Sequence, residues 1–170
     1  MKENIVLIGM PGAGKSTVGV VLAKALGYDF IDSDLLIQSA TGKRLFEIIN
    51  ESGMEGFLAV ENNINAQIET KNTVIATGGS VIYGKEAMEH LKEIGHVIYL
   101  KVAYENLARR LGNLEKRGVA IRKGNTLQDL YNERVPLYEK YADITIDEQG
   151  RDIREVVEVI LDEMKNFGVE

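Results

Sequence analysis

The chain has no cysteine, which excludes disulfides, thiol nucleophiles and thiolate metal sites. It has no apolar stretch approaching the roughly 18–20 residues that a membrane span needs. It has no excess of positive charge. The formal net charge is −6, and an acidic surface suits neither nucleic acid nor an anionic membrane. That balance does not exclude a small anion held in a locally basic pocket. No internal repeat, low-complexity block or linker divides the 170 residues. The opening MKENIVLIGMPG carries one lysine and a short apolar run that feeds a glycine-rich loop, so it reads as a buried strand and not as a signal peptide. What is left is one ordinary globular domain over residues 1–170, with 45% apolar and 27% charged residues, expected in the cytoplasm and expected to be a monomer.

Short β-branched runs alternate with longer helical patterns. The strand candidates are 4–9, 28–32, 73–77, 96–102 and 143–147, and their continuous apolar cores predict burial on both faces. Residues 15–26 place Val18, Val21, Leu22, Ala25 and Leu26 on one helical face, with Gly27 as the stop. Further helices are predicted at 34–40, 43–51, 54–69, 84–94, 103–111, 126–140 and 150–166, with a break at Gly53. Such alternation predicts an α/β fold with a parallel sheet and helices on both faces. His90 and His96 lack a partner motif and read as surface residues. Tyr131, Tyr138 and Tyr141 read as packing.

Residues 9–17, GMPGAGKST, match G-x-x-x-x-G-K-S/T through Gly9, Gly14, Lys15 and Ser16. Glycines let successive backbone N–H groups turn inward as an anion nest, and the following helix adds its N-terminal dipole. In this pattern Lys15 reaches the β- and γ-phosphates and the Ser16 hydroxyl ligates Mg²⁺. A strand pattern precedes the loop and an amphipathic helix follows, which is the context the motif requires.

The kind of phosphate chemistry comes from elsewhere in the chain. There is no N-K-x-D guanine-reading motif, and no apolar strand ends in Asp-Glu. A carboxylate pair stands instead in FIDSD, at Asp32 and Asp34. Residues two apart on an extended segment point the same way. One carboxylate can then serve Mg²⁺ and the other can orient or deprotonate an acceptor hydroxyl. The alternative is that one of the pair N-caps the helix at 34–40.

These motifs, in order, resemble the shikimate kinase family, small P-loop kinases with the nucleoside-monophosphate-kinase fold. The resemblance runs through GMPGAGKSTVG, FIDSD, TGKRLFEIINESGMEGFLAVE, TVIATGGS, Arg117 and RVPLYEKYAD. It implies a five-stranded parallel sheet of order 2-3-1-4-5, with acceptor-binding helices in 33–72 and a mobile lid at 112–124. It implies ATP and Mg²⁺ as cofactors and phosphoryl transfer to the 3-hydroxyl of shikimate. The implied roles fall on Gly12, Ala13, Gly14, Lys15, Ser16 and Thr17 for the phosphates, Arg110 for the adenine, and Ser16 with Asp32 for the metal. Asp34 would bind the acceptor hydroxyls and act as base. Gly78 and Gly79 would offer backbone N–H groups to the acceptor, and Arg134 would pair with its carboxylate. Lys15, Asp34 and Arg117 form the implied catalytic set.

Several positions depart from the family pattern, with Met54 in place of its acidic second residue among them. The stretch G-E-x-x-F-R-x-x-E reads Gly53-Met54-Glu55-Gly56-Phe57-Leu58-Ala59-Val60-Glu61. Leu58 therefore stands where an arginine would hold the shikimate carboxylate, with Glu61 retained. Ser80 replaces a third glycine, and the lid reads Arg117-Gly118-Val119-Ala120 without its proline. Lys43 and Arg44 are the cations near enough in sequence to replace the missing arginine. Three readings stay open: a shikimate kinase with a rearranged pocket, a kinase of another small hydroxylated metabolite, or a nucleotide-binding regulatory protein.

Overall fold

The computed structural model describes residues 2–112, 122 and 124–169. Its strands are β1 (Asn4–Ile8), β2 (Asp29–Asp32), β3 (Thr73–Ala76), β4 (Gly95–Lys101) and β5 (Ile144–Asp147). Its helices are α1 (Lys15–Leu26), α2 (Ser33–Thr41), α3 (Leu45–Ala66), α4 (Lys85–Ile94), α5 (Tyr104–Leu111), α6 (Leu127–Tyr141) and α7 (Ile153–Lys165), with a 3₁₀ turn at Val81–Tyr83. All strand pairs are parallel, in the order β2-β3-β1-β4-β5.

That order decides which strands are buried. β1 is covered along its whole length, as is β3, and Val97, Ile98, Tyr99 and Leu100 of β4 are buried. β2 and β5 are the sheet edges and stay partly exposed, so two of the five strands are not buried on both faces as their apolar runs suggest. The inner face of α1 also differs from its periodicity. Val18, Gly19, Leu22 and Ala23 are buried, while Val21 and Ala25 face outward. The helix rolls because Gly19 has no Cβ. One built there would lie 2.7 Å from the Phe30 ring, so the glycine lets α1 settle close to β2. His90 and His96 are half-buried rather than surface residues. His90 Nε2 lies 2.6 Å from the Ile68 carbonyl, and the His96 ring tilts against Phe167.

A second, small core joins α2 and α3 through Ile37, Ile48 and Phe57, with Leu45, Met54 and Leu58 packed around it. The predicted break falls inside α3, where Gly53 adopts φ 71, ψ 178 and kinks an otherwise continuous helix. A residue with a Cβ resists a positive φ there.

The N-terminal edge of the sheet is tied by one polar side chain. Asn4 is 2% exposed. Its Nδ2 donates to the Thr70 and Ile94 carbonyls at 2.9 and 3.0 Å, and its Oδ1 accepts from the Thr73 N–H at 3.1 Å. Asn4→Ala removes three buried bonds and leaves the Thr73 N–H without its acceptor. Unfolding in urea should show a loss of about 2–3 kcal/mol. A loss below about 0.5 kcal/mol, the size of an ordinary surface substitution, would contradict this role.

Candidate active site

In a parallel sheet of this kind the ligand crevice lies beyond the carboxyl ends of the strands, and the ends of β1, β2, β3 and β5 deliver polar groups there. β1 runs into the glycine-rich loop. Gly12 and Gly14 take φ 81 and 85, and Gly14 caps α1 without a side-chain bond, so the first helical N–H groups are not consumed by a cap. Lys15 is 7% exposed and its Nζ donates to the Gly9 and Met10 carbonyls at 2.7 and 2.9 Å. Burial pushes its ammonium down to about 8, with the Asp34 charge opposing the shift. Ala13 is buried beneath the loop, whereas Gly12, Gly14, Lys15, Ser16 and Thr17 line a cavity of about 440 Å³.

Asp32 ends β2 and does two things. Its Oδ2 accepts the Ser16 hydroxyl at 2.8 Å, and its Oδ1 caps α2 by accepting the Asp34 and Leu35 N–H groups at 3.0 and 3.4 Å. The cap and the loop contact are therefore the same residue. Asp34 is not on an extended segment with Asp32 but in the first turn of α2, and it lines the cavity. Burial raises its carboxyl above the ordinary value, the Asp32 charge adds to that, and Lys15 opposes it.

The turn after β3 is shaped by two absent side chains. A Cβ on Gly78 would lie 2.7 Å from Asp34 Oδ1 and 2.8 Å from Glu61 Oε2. A Cβ on Gly79 would lie 2.7 Å from Pro11 and 3.1 Å from Arg134 Nη1. The glycines are thus needed for close approach. The Gly78 N–H is donated to Ser33 Oγ at 3.3 Å, so the expectation that it points at an acceptor is corrected. Tyr138 donates to the Gly79 carbonyl at 2.5 Å and stacks on Tyr99, the packing role expected of it.

Arg134 is 1% exposed yet lines the cavity. Its Nε donates to Tyr83 Oη at 3.4 Å, and Tyr83 in turn donates to Glu133 Oε1 at 2.6 Å. Arg110 is exposed, and its Nη1 donates to the Gly12 carbonyl at 3.0 Å. It borders a second, shallower hollow of about 520 Å³ with Glu148. Arg117 and lid residues 113–121 and 123 lie outside the described residues.

Two carboxylates of the site are absent from the motif-based set. Glu61, on α3, is 1% exposed and accepts the Ser80 hydroxyl at 2.7 Å on Oε1. Its Oε2 has no hydrogen-bond partner. Burial pushes its carboxyl up to about 7; the Ser80 bond opposes this and Asp34 adds to it. Glu148, directly after β5, is also pushed up to about 7, by burial against the pull of Arg110 and Lys15. Its position just past a strand's carboxyl end is the signal that could have found it. Leu58 faces a small neighbouring hollow with Met54, Tyr83 and Arg134. Lys43 and Arg44 are exposed and line neither space. Lys43 pairs with Glu51, and Arg44 sits over the Phe46 ring. Neither replaces the missing arginine.

A family model described as shikimate kinase matches residues 11–165. The chain belongs to the shikimate kinase family. It is 38% identical over 168 residues to a shikimate kinase of Thermodesulfovibrio yellowstonii, covering 97% of this chain and 96% of that protein. A shikimate kinase of Haemophilus influenzae is also 38% identical, over 98% of this chain and 94% of its own. Among solved structures, the shikimate kinase from Acinetobacter baumannii in complex with shikimate superposes with a TM-score of 0.90. It is 33% identical and covers all of this chain, which covers 97% of it. No helix among the described residues is long and apolar enough to cross a membrane.

The Glu61 shift has a sign that can be checked. In the unfolded chain the carboxyl ionises near its ordinary 4.5, and in the folded protein near 7. The native state therefore holds the proton more tightly, and stability falls as pH rises from 4.5 through 7. A shift of that size corresponds to a loss on the order of 3 kcal/mol. Glu61→Gln cannot ionise, so its melting temperature should match wild type near pH 5 and exceed it at pH 8. A difference that does not change with pH would mean that Glu61 is not held as described.

Proposed function

We propose that this protein transfers the γ-phosphoryl group of ATP to the 3-hydroxyl of shikimate, as one domain in which helices of residues 33–72 carry the acceptor and the segment 112–124 closes over it. The observation that carries the reading is the convergence of Lys15, Asp34 and Arg134 on one cavity at the carboxyl edge of the sheet, in a chain of this family. The loop N–H groups and Lys15 hold the polyphosphate. Arg134 takes the acceptor carboxylate as a charge-assisted pair. Asp34 accepts the proton of the attacking hydroxyl as its oxygen bonds to the γ-phosphorus and the bond to the β-phosphate oxygen breaks, leaving ADP. Burial makes Asp34 a stronger base than a surface carboxylate, and Lys15 keeps it ionised enough to act. Arg117 is assigned to the transferring group and Arg110 to the adenine face. Ser16 and Asp32, an oxygen pair 2.8 Å apart at the loop, suit a hard cation that shares its shell with phosphate and water. Mg²⁺ bound there supplies charge neutralisation. The protein acts as a cytoplasmic monomer.

Leu58 favours a second reading, a kinase of another small hydroxylated metabolite, because the wall beside Arg134 has lost a cation. A coupled ADP-release assay across shikimate, quinate, gluconate, polyols and amino alcohols separates the two, with shikimate expected to give the highest kcat/KM. A higher value for any other acceptor overturns the first reading.

Lys15→Ala and Asp34→Asn should each lower kcat by about 10² or more, the effect of removing a positioned charge or base. Near-normal turnover in Asp34→Asn would remove Asp34 from the reaction. Leu58→Arg puts a second cation beside Arg134 and within reach of Glu61. A charge-assisted bond of about 1.5–3 kcal/mol should then lower the KM for shikimate by about 10- to 150-fold. The kcat should change little, because the bond exists in ground and transition states alike. Negligible shikimate turnover in both proteins supports the second reading.

A further inference from the structure

The acceptor wall contains a carboxylate oxygen that nothing in the described protein satisfies. Glu61 is 1% exposed, and Ser80 engages only its Oε1. Oε2 is buried without a partner, in a side chain that lines the same cavity as Asp34 and Arg134. A buried acceptor left unpaired is destabilising, and such groups persist where a ligand completes them. Both acceptors pack against Gly78. Asp34 Oδ1 and Glu61 Oε2 lie 2.7 and 2.8 Å from the point a Cβ would occupy there, so the two oxygens lie near each other on one wall of the cavity that their side chains line.

Two acceptors side by side call for two donors side by side. A pair of hydroxyls on adjacent carbons supplies them. A ligand carboxylate against this wall would meet two carboxylates and be repelled, so it belongs on the Arg134 side of the cavity. The Ser80 hydroxyl turns Glu61 into a fixed wall. Asn65, the next polar residue inward on α3, donates to the Glu61 carbonyl at 2.8 Å and not to its carboxylate, so Oε2 is left for the cavity.

We infer that Glu61, held by Ser80, is a specificity-determining residue that accepts a hydrogen bond from the acceptor hydroxyl adjacent to the one Asp34 orients, so the pocket selects a vicinal diol. The inference deepens the reading given above and rests on its assignment of the cavity to the acceptor.

The test is a substrate-by-variant cycle in the full-length protein. Acceptor KM, ATP KM and kcat are measured for wild type, Glu61→Gln and Ser80→Ala. Each is assayed with shikimate and with its deoxy analogue lacking the ring hydroxyl next to the phosphorylated one. Glu61→Gln should raise the KM for shikimate by about 10- to 100-fold, the discrimination expected when a site loses one hydrogen-bond partner. It should change the KM for the deoxy analogue less than about 3-fold and leave the ATP KM alone, because only the missing partner couples to it. Ser80→Ala should move in the same direction by a smaller factor, and it carries the test if Glu61→Gln does not fold. Equal losses with both acceptors would make Glu61 a structural residue and overturn the inference, as would an unchanged shikimate KM. If wild type fails to phosphorylate shikimate, the functional reading falls first. The same cycle is then run on the best diol of the polyol panel and its mono-ol, where a preference for the diol lost in Glu61→Gln sustains the inference and no such preference ends it.

Discussion

The Asp32 carboxylate links the glycine-rich loop to α2, the helix to which we assign the acceptor side of the cavity. Its Oδ2 takes the Ser16 hydroxyl at the start of α1, while its Oδ1 caps α2 and so sets where Asp34 begins its turn. A capping carboxylate is favoured there because it meets two otherwise unpaired N–H groups and the positive end of the helix. Its second oxygen is then free to hold Ser16. The consequence is geometric. The distance between the loop and Asp34 is set by one rigid side chain at the end of an edge strand, not by the mobile contacts of a surface loop. Positioning of that kind is most of what phosphoryl transfer asks of a protein.

Around this frame the charges are mutually uncomfortable, and the discomfort has a direction. Lys15 is pushed down to about 8, and Glu61 and Glu148 are pushed up to about 7, in each case first by burial. Burial disfavours the charged form of either sign. A polyphosphate arriving at the loop would favour the Lys15 ammonium, because a new anion offsets the desolvation that depresses it. The same anion would penalise ionised Glu148, whose carboxyl already interacts with Lys15 and Arg110. The cavity thus favours a bound state, with Lys15 at the loop and Arg134 and the unpartnered Glu61 oxygen at its other end.

Much of the frame was legible in the chain because it is local. The glycine loop, the stop at Gly27 and the kink at Gly53 follow from backbone freedom at single positions, and the strand–helix alternation follows from periodicity. Strand order came from the family resemblance, and without an order no apolar run says whether it will lie at an edge; hence β2 and β5 read as more buried than they are. The face of α1 was misread because its closest approach to β2 depends on Gly19, which looks like any helical glycine until Phe30 is placed against it. The pairing of Asp32 with Asp34 was legible as chemistry but not as geometry, since α2 starts one residue earlier than the alternation rule assumes. Glu61 was visible as a leftover partner of a missing arginine. Its real environment needs α3, the turn after β3 and α6 together, and no window of sequence contains all three.

That leftover also ties the departures to one another. An arginine replaced by Leu58 leaves a carboxylate on the next turn of α3 without a cation on its own helix, in a dry place where the more distant pull of Arg134 and Lys15 does not offset burial. Such a group must be neutralised, removed or given a donor. Ser80 is that donor: a hydroxyl added where the family pattern has glycine, 2.7 Å from Glu61. Glu61 is retained, Leu58 turns to a small hollow that it shares with Met54, Tyr83 and Arg134, and Ser80 satisfies one of the two Glu61 oxygens. The substitutions at Leu58 and Ser80, which look independent in sequence, therefore form one rearrangement around Glu61. It moves the wall from a cation that fits carboxylate toward an acceptor that fits hydroxyl, and leaves Arg134 as the buried cation of the described cavity on that side. The acceptor must then be read from how its hydroxyls are spaced as much as from whether it carries a charge.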